Sequence, residues 1–229
     1  MKRDNIERPR APARTALTPA VRRPVTALAL LGLLLLVVPA LIFAGDTSAS
    51  RLDTAAKAFV LEHAPAGSWD IIRGLDWLGE PIGRALLLIG VTLACLAAGR
   101  RALAITAAVS IATISVLATA LKPLVGRRIH EGFLCYPSGH SAALTAAALI
   151  VGLLVADVFV LRSVASTAVI LGITVVGGAL TAWAQINLDA HYPTDTVGGF
   201  GCALLVVPVT AWLIDRFAAR RAANRPASR

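Results

Sequence analysis

The sequence predicts an all-α fold, a polytopic membrane bundle of about six transmembrane helices, and two observations support this prediction. The composition is 57% hydrophobic and only 15% charged, with a mean hydropathy of +0.74, whereas a soluble domain carries about 25% charged residues. Several apolar runs are near 20 residues long, the length that crosses a hydrocarbon core of about 30 Å. The chain is therefore interpreted as an integral membrane protein.

Six apolar runs mark the predicted spans. They are Val25–Ala44, Ile82–Ala98, Ala102–Leu121, Ser138–Val160, Ser163–Ala184 and Thr196–Ile214. The first run could also be a signal peptide, but its length and the polar tail before it favour a retained anchor. The chain is therefore divided into a disordered basic tail (residues 1–24), a six-span domain (25–214) and a second basic tail (215–229).

The polar segment between the first two spans contains two stretches whose apolar residues recur with helical spacing. These stretches are RLDTAAKAFVLEHA and SWDIIRGLDWLG, and the spacing predicts two short helices. Two placements remain open for them: helices lying in the membrane interface, or ordinary extramembrane helices.

The formal net charge is +9, and most of the positive charge lies in the two tails. Membrane topology explains this charge better than a nucleic-acid partner does, because cytoplasmic segments are enriched in Lys and Arg. Both termini are therefore expected in the cytoplasm, which places residues 45–81, 122–137 and 185–195 outside. Lys122, Arg127 and Arg128 break the charge rule on that side, and a bound anion would account for them.

The cysteines give no sign of a disulfide framework or of metal-ligand spacing. Cys95 and Cys202 fall inside apolar runs, and Cys135 lies in a loop. No carboxylate cluster accompanies the histidines in the sequence, so a metal-dependent hydrolase is not expected. No metal and no other cofactor is predicted, and the oligomeric state stays open.

The stretch PSGH, at residues 137–140, begins the fourth span. It places the amides of Ser138, Gly139 and His140 at a helix N-terminus, where free N–H groups and the helix dipole favour an anion. Lys122, Arg127 and Arg128 would add positive charge at the same membrane face. A plain helix start capped by serine is the competing interpretation of this stretch.

The stretch HYPTD places His191 and Asp195 four residues apart. On one helical turn the carboxylate could hold one imidazole nitrogen as N–H and leave the other free to attack an electrophile. His140 could then donate a proton to the leaving oxygen. A structural hydrogen-bonded pair is the competing interpretation of His191 and Asp195, but three loops that converge on one face favour a functional site.

Together, K…GRR, YPSGH and HYPTD resemble the three signatures of the type 2 phosphatidic acid phosphatase superfamily, over about residues 82–214. The resemblance implies a helical bundle that hydrolyses phosphoesters without a metal ion. It implies that His191 is the nucleophile through a phosphohistidine, that Asp195 is its partner and that His140 is the acid for the leaving group. The phosphate would be held by Lys122 and by the amides around Ser138 and Gly139.

The chain departs from the family pattern at two signatures. The first usually ends in Arg-Pro where this chain has Ile129 and His130, so Arg127, or alternatively Arg128, is the expected phosphate ligand. The third usually begins Ser-Arg, and those positions are Ala184 and Gln185 here. Gln185 could donate a neutral hydrogen bond to phosphate, which is about half as strong as a charge-assisted one.

The resulting expectation is a phosphatase domain at residues 25–214, in a multi-pass cell-membrane protein whose site faces outward. Its substrate would be a lipid phosphate or a polyprenyl diphosphate, such as undecaprenyl diphosphate. Two alternatives stay open: a phosphotransferase that passes the phosphoryl group to another lipid, and a lipid-phosphate binder or transporter that lost catalysis. A haloperoxidase is not expected, because the chain is a compact membrane bundle.

Overall fold

The protein is seen in a computed structural model that describes residues 15–130 and 132–224. In these ranges the chain forms eight helices and one two-stranded hairpin: α1 (Pro19–Ile42), α2 (Arg51–Glu62), α3 (Trp69–Gly79), α4 (Pro81–Ala97), α5 (Arg101–Val125), β1 (Arg128–Ile129), β2 (Phe133–Leu134), α6 (Gly139–Val158), α7 (Ser163–Asn187) and α8 (Pro193–Ala223). The predicted all-α polytopic bundle is confirmed.

Each of the six predicted spans coincides with a helix. Five helices, namely α1, α5, α6, α7 and α8, are long and apolar enough to cross a membrane. The 17-residue α4 meets that test only together with α3, to which it is joined at an angle of 79°. The chain therefore has five candidate spans among the described residues, or six if this bent pair counts as one.

Two helices extend beyond the predicted spans into the basic tails. Helix α1 begins at Pro19, so residues 19–24 of the tail predicted to be disordered are helical. Helix α8 continues to Ala223, nine residues past the predicted end of the span. The rest of the predicted tails, residues 1–14 and 225–229, lies outside the described residues. The segment just before α1 is bound to α8, because Asp215 of α8 accepts hydrogen bonds from the amides of Ala16 and Leu17 at 2.6 and 3.1 Å.

The segment between α1 and α4 forms the two predicted short helices. Helix α2 has a capping box between Ser50 and Asp53, which satisfies the first free amides of the helix. Helix α3 exposes Trp69, Ile71 and Trp77, and exposed aromatic and aliphatic side chains of this kind favour a position in the membrane interface.

Helix α6 is the centre of the bundle and packs against α5, α7 and α8. Small and branched apolar residues fill its interface, and Ala142, Ala146, Leu149 and Ile150 are fully buried. Close packing of small residues is the usual way for helices to associate in lipid, where the hydrophobic effect contributes little. Close packing therefore fixes the position of α6 and of Gly139, its first residue.

The ends of several helices meet at one end of the bundle. Helix α5 ends at Val125 and is capped by Gly126, which adopts a left-handed conformation with φ of 70°. The Gly45 amide after α1 donates to the carbonyl of Val125 at 2.8 Å. Helices α6 and α8 begin at this end, and the three sequence motifs lie there as predicted.

The bundle should keep its two ends on opposite sides of a membrane. Ala66 is exposed between α2 and α3 at the motif end, and Ala98 is exposed after α4 at the other end. Cysteines at these two positions should therefore react with an impermeant maleimide from opposite sides in oriented vesicles. The native cysteines are buried and should give little background. Labelling of both positions from one side would contradict the arrangement.

Candidate active site

Two histidines from different motifs meet at the start of α6. The ring centroids of His140 and His191 lie 6.5 Å apart, with 59° between the ring planes. His140 is the second residue of α6, and His191 lies two residues before α8. His191 is only 8% exposed. The structure thus brings together the two imidazoles that the motifs predicted as neighbours.

A backbone hydrogen bond joins the two motifs. The amide of Ser138 donates to the carbonyl of Asp195 at 3.0 Å, and the Ser138 hydroxyl accepts a bond from the Ser141 amide at 3.3 Å. The Ser138 amide is therefore engaged, which corrects the prediction that it faces the anion. The amides of Gly139 and His140 remain in the first turn of α6, where a helix has no internal acceptor for them.

Asp195 approaches His191 but is mainly bonded to other groups. Its Oδ2 lies 3.7 Å from Nδ1 of His191, and the same oxygen accepts a hydrogen bond from the Tyr192 amide at 2.9 Å. Nδ1 of His191 has no hydrogen-bond partner among the described residues. The predicted carboxylate–imidazole pair is therefore in electrostatic contact, without the hydrogen bond.

Arg127 is fully buried between two carboxylates. Its Nη1 donates to Asp195 and to the Thr194 hydroxyl, and its Nη2 donates to Asp53, each at 2.6 Å. The rings of Phe43 and Tyr192 lie 4.4 and 4.5 Å from the guanidinium carbon. Arg127 thus contacts two carboxylates in this structure, and the phosphate contact predicted for it stays a prediction.

Sequence analysis missed Asp53, which completes this cluster from α2. Its Oδ1 accepts hydrogen bonds from the amide and the hydroxyl of Thr194 at 2.9 and 2.7 Å. Burial alone raises the pKa of Asp53, but hydrogen bonds from Thr194, Ser50 and Arg127 outweigh it and hold the pKa below the ordinary 3.8. Burial lowers the pKa of Arg127, and its two carboxylate partners more than reverse that effect. Asp53 and Arg127 are therefore both ionised.

Arg128, the alternative phosphate ligand, is not brought into the site. It begins β1 and is exposed, and its Nη1 donates to the Gly132 carbonyl at 3.0 Å. Neighbouring side chains of an extended segment point to opposite faces. Arg128 therefore lies on the face opposite to the buried Arg127. Ile129, at the position of the family arginine, is buried.

Gln185 is fully buried and binds a carboxylate that the sequence did not place here. Its Nε2 donates to Oδ1 of Asp76 at 2.9 Å. Nε2 of His140 lies 3.5 Å from that oxygen and 3.5 Å from Oε1 of Glu80. The expectation that no carboxylates accompany the histidines was therefore wrong, because packing of α3 on α6 and α7 brings in residues that are about 60 positions away in the sequence.

The ligand atoms of Asp76, Glu80 and His140 lie within 4.8 Å of one another, a spacing that could hold a metal ion. Carboxylates and imidazole suit several divalent ions. Sequence spacing could not have indicated this group, since only Asp76 and Glu80 share a local segment.

Two cations border the start of α6 without a carboxylate in ion-pair contact in the described part of the chain. Lys122 lies half-buried in the last turn of α5. Arg84, which sequence analysis also missed, lies in the first turn of α4 and within electrostatic range of Lys122 and His140. Together with the free amides of α6 they form a cluster of positive groups beside two imidazoles, which suits binding and transfer of a phosphoryl group.

Removing the Asp53 carboxylate should destabilise the protein strongly. Asp53→Asn leaves Arg127 with one charged partner, and breaking a buried ion pair costs about 3–5 kcal/mol. Because the folded-state pKa of Asp53 lies below 3.8, its stabilisation is present above about pH 4 and is lost as the pH falls through that pKa. The variant should therefore lose less stability in acid than the parent.

Denaturation in detergent at several pH values would measure both effects. Asp46→Asn is the matched control, because Asp46 is exposed and lies in the same segment. Equal stability of the Asp53→Asn and Asp46→Asn variants at neutral pH would contradict the assignment.

Comparison with known families matches residues 24–218 to the PAP2 superfamily. No curated protein matches the chain, and no solved structure matches it. The family match includes every residue of the site described above and agrees with the resemblance of the three motifs. The chain therefore belongs to the PAP2 superfamily.

Proposed function

We propose that the chain is an integral membrane phosphatase that hydrolyses a lipid phosphate or a polyprenyl diphosphate through a phosphohistidine on His191. Membership of the PAP2 superfamily supports a phosphatase-type function on lipid phosphates in general. The observation that carries the proposal is the meeting of His140 and His191, with ring centroids 6.5 Å apart, beside Lys122 and the N-terminus of α6. Reacting atoms lie about 3–3.5 Å apart before attack. A phosphoester group between the rings can therefore meet His191 at its phosphorus atom and His140 at its leaving oxygen.

The first half of the reaction transfers the phosphoryl group to the protein. Asp195 lies on the Nδ1 side of His191, which favours a proton on Nδ1 and leaves Nε2 as the nucleophile. Nε2 forms a bond to phosphorus while the bond from phosphorus to the leaving oxygen breaks. His140 donates a proton to that oxygen, so the lipid leaves as an alcohol or as a lipid monophosphate.

The second half returns the protein to its starting state. A water molecule attacks the phosphorus of the phosphohistidine, and the bond between nitrogen and phosphorus breaks. His140, now neutral, accepts a proton from the water, and inorganic phosphate is released. Lys122 and the amides of Gly139 and His140 stabilise negative charge on the phosphoryl oxygens in both halves.

The membrane setting explains why such a reaction needs an integral protein. The apolar tails of the substrate can stay in lipid while the headgroup reaches the helix ends where the motifs lie. The distribution of arginine favours a site on the outer face with both termini in the cytoplasm. A cysteine at Ala66 would then react with an impermeant label in intact cells.

Replacing either histidine should abolish or strongly reduce hydrolysis. His191→Ala removes the nucleophile, so no acid-labile, alkali-stable phosphoenzyme should be trapped from a labelled lipid phosphate. His140→Ala should slow turnover by about 10²–10⁴-fold, the usual contribution of a general acid. The loss should be smaller for a nitrophenyl phosphate, whose leaving group needs no proton.

His63→Ala is the matched control, because His63 is exposed after α2 and lies outside the site. Near-normal hydrolysis by His191→Ala would overturn the proposal. Phosphate released only as a newly phosphorylated lipid would indicate a transferase, and tight lipid binding without any phosphate release would indicate a binder.

Activity should survive EDTA, because the mechanism uses fixed cations and helix amides in place of a metal ion. Vanadate should inhibit, since it mimics five-coordinate phosphorus. Phosphate release from a detergent-solubilised preparation measures both. Loss of activity in EDTA that returns with added Mg²⁺ or Zn²⁺ would contradict this mechanism and assign a catalytic ion to Asp76, Glu80 and His140.

A further inference from the structure

We propose that Arg84, which lies outside the three motifs, binds the phosphoryl group and supplies the positive charge that Gln185 does not. The inference rests on the proposed function, because it assigns Arg84 to the same phosphate site. In the family pattern an arginine occupies position 185, on α7. In this chain the cation comes from the start of α4.

The guanidinium of Arg84 is held in place and still has donors to spare. Its Nε and Nη2 donate to the Gly79 carbonyl at 3.2 and 2.5 Å, and its Nη1 donates to the Ser115 hydroxyl at 3.4 Å. A guanidinium carries five N–H groups, and these bonds use three of them. One N–H on each terminal nitrogen therefore remains for a ligand.

The free donors lie beside the start of α6. Nη2 of Arg84 is 3.7 Å from the point where a Cβ on Gly139 would lie, and the Ala118 methyl group is 4.0 Å from that point. Ala118 is one turn before Lys122 on α5, so the two share a helix face. Because Gly139 has no side chain, a phosphoryl oxygen can approach the amides of α6 between Arg84 and Lys122.

Carboxylates act on these two cations from a distance, Glu80 on Arg84 and Asp195 on Lys122. Within the described ranges no carboxylate lies within 4.0 Å of the side-chain nitrogens of Arg84 or Lys122. Both side chains are half-buried, and two neighbouring cations in partly desolvated surroundings repel each other. A phosphate dianion between them would remove that repulsion, and the fork of Arg84 suits its oxygens.

Arg127 and Gln185, two of the other candidates for this role, are already engaged, and Arg128 is exposed. Arg127 is neutralised by Asp53 and Asp195, and Gln185 donates to Asp76. Among the described residues, Arg84 and Lys122 are therefore the cations that face the start of α6 without a carboxylate in ion-pair contact.

The test measures phosphate affinity separately from turnover. Arg84→Gln should raise KM for a lipid phosphate and weaken inhibition by vanadate by about 10- to 100-fold, as expected for a lost charge-assisted hydrogen bond. In the His191→Ala background, where no turnover occurs, Arg84→Gln should weaken binding of inorganic phosphate by a similar factor in calorimetry. Gln185→Arg added to Arg84→Gln should recover part of the affinity.

Arg73→Gln is the matched control, because it removes one exposed positive charge from α3. Its phosphate affinity should equal that of the parent. Unchanged phosphate and vanadate affinity in Arg84→Gln would overturn the inference. If Arg84→Gln does not fold, Arg84→Met also removes the charge while keeping an apolar stem, and unchanged phosphate affinity in that variant would equally overturn the inference.

The two proposals fail in different ways. Hydrolysis that persists in His191→Ala overturns the proposed mechanism without affecting phosphate binding by Arg84. A dead His191→Ala variant combined with normal phosphate affinity in Arg84→Gln overturns the role of Arg84 alone.

Discussion

The buried ion cluster of Arg127, Asp53 and Asp195 is the interaction on which the site geometry depends. A buried guanidinium is tolerated when carboxylates neutralise it. Both terminal nitrogens of Arg127 are bonded, while its Nε has no hydrogen-bond partner among the described residues. Its partners come from α2 and from the first turn of α8, so one charge fixes two distant segments. Asp195 then holds the loop that carries His191, and its carbonyl receives the Ser138 amide, which fixes the start of α6. Both imidazoles are thereby positioned through one arginine.

The cations at this end of the bundle divide into two kinds with different consequences. Arg127 has its charge cancelled inside the protein and contributes to rigidity. Arg84 and Lys122 lack a carboxylate in ion-pair contact in the described structure, and they leave positive potential at the start of α6. An anion therefore gains most by binding where the helix amides and these two side chains meet. Replacement of the family arginine by Gln185 is understandable in these terms, since a neutral amide there binds Asp76 without drawing the carboxylate away from His140.

The two histidines have different surroundings, as expected for groups with different tasks. Carboxylates of Asp76 and Glu80 face Nε2 of His140 and can fix the orientation of its ring. His191 faces the carboxylate of Asp195, which is already bonded to Arg127 and to the Tyr192 amide. The charge of Asp195 therefore acts on Nδ1 of His191 without a hydrogen bond. This difference supports an acid–base role for His140 and a nucleophilic role for His191.

The sequence by itself determined the membrane fold, the helices and the pairing of His140 with His191, because apolar run length and short motifs are local properties. It could not determine which cations are neutralised by carboxylates. That outcome depends on which carboxylates lie next to each cation, and Asp53, Asp76 and Glu80 lie 60–141 residues from the motif residues that they contact. For the same reason sequence analysis could not anticipate the neutralisation of Arg127 or the position of Arg84 beside α6. Charge compensation in a buried site is a property of three-dimensional neighbours, and only the tertiary structure decided it.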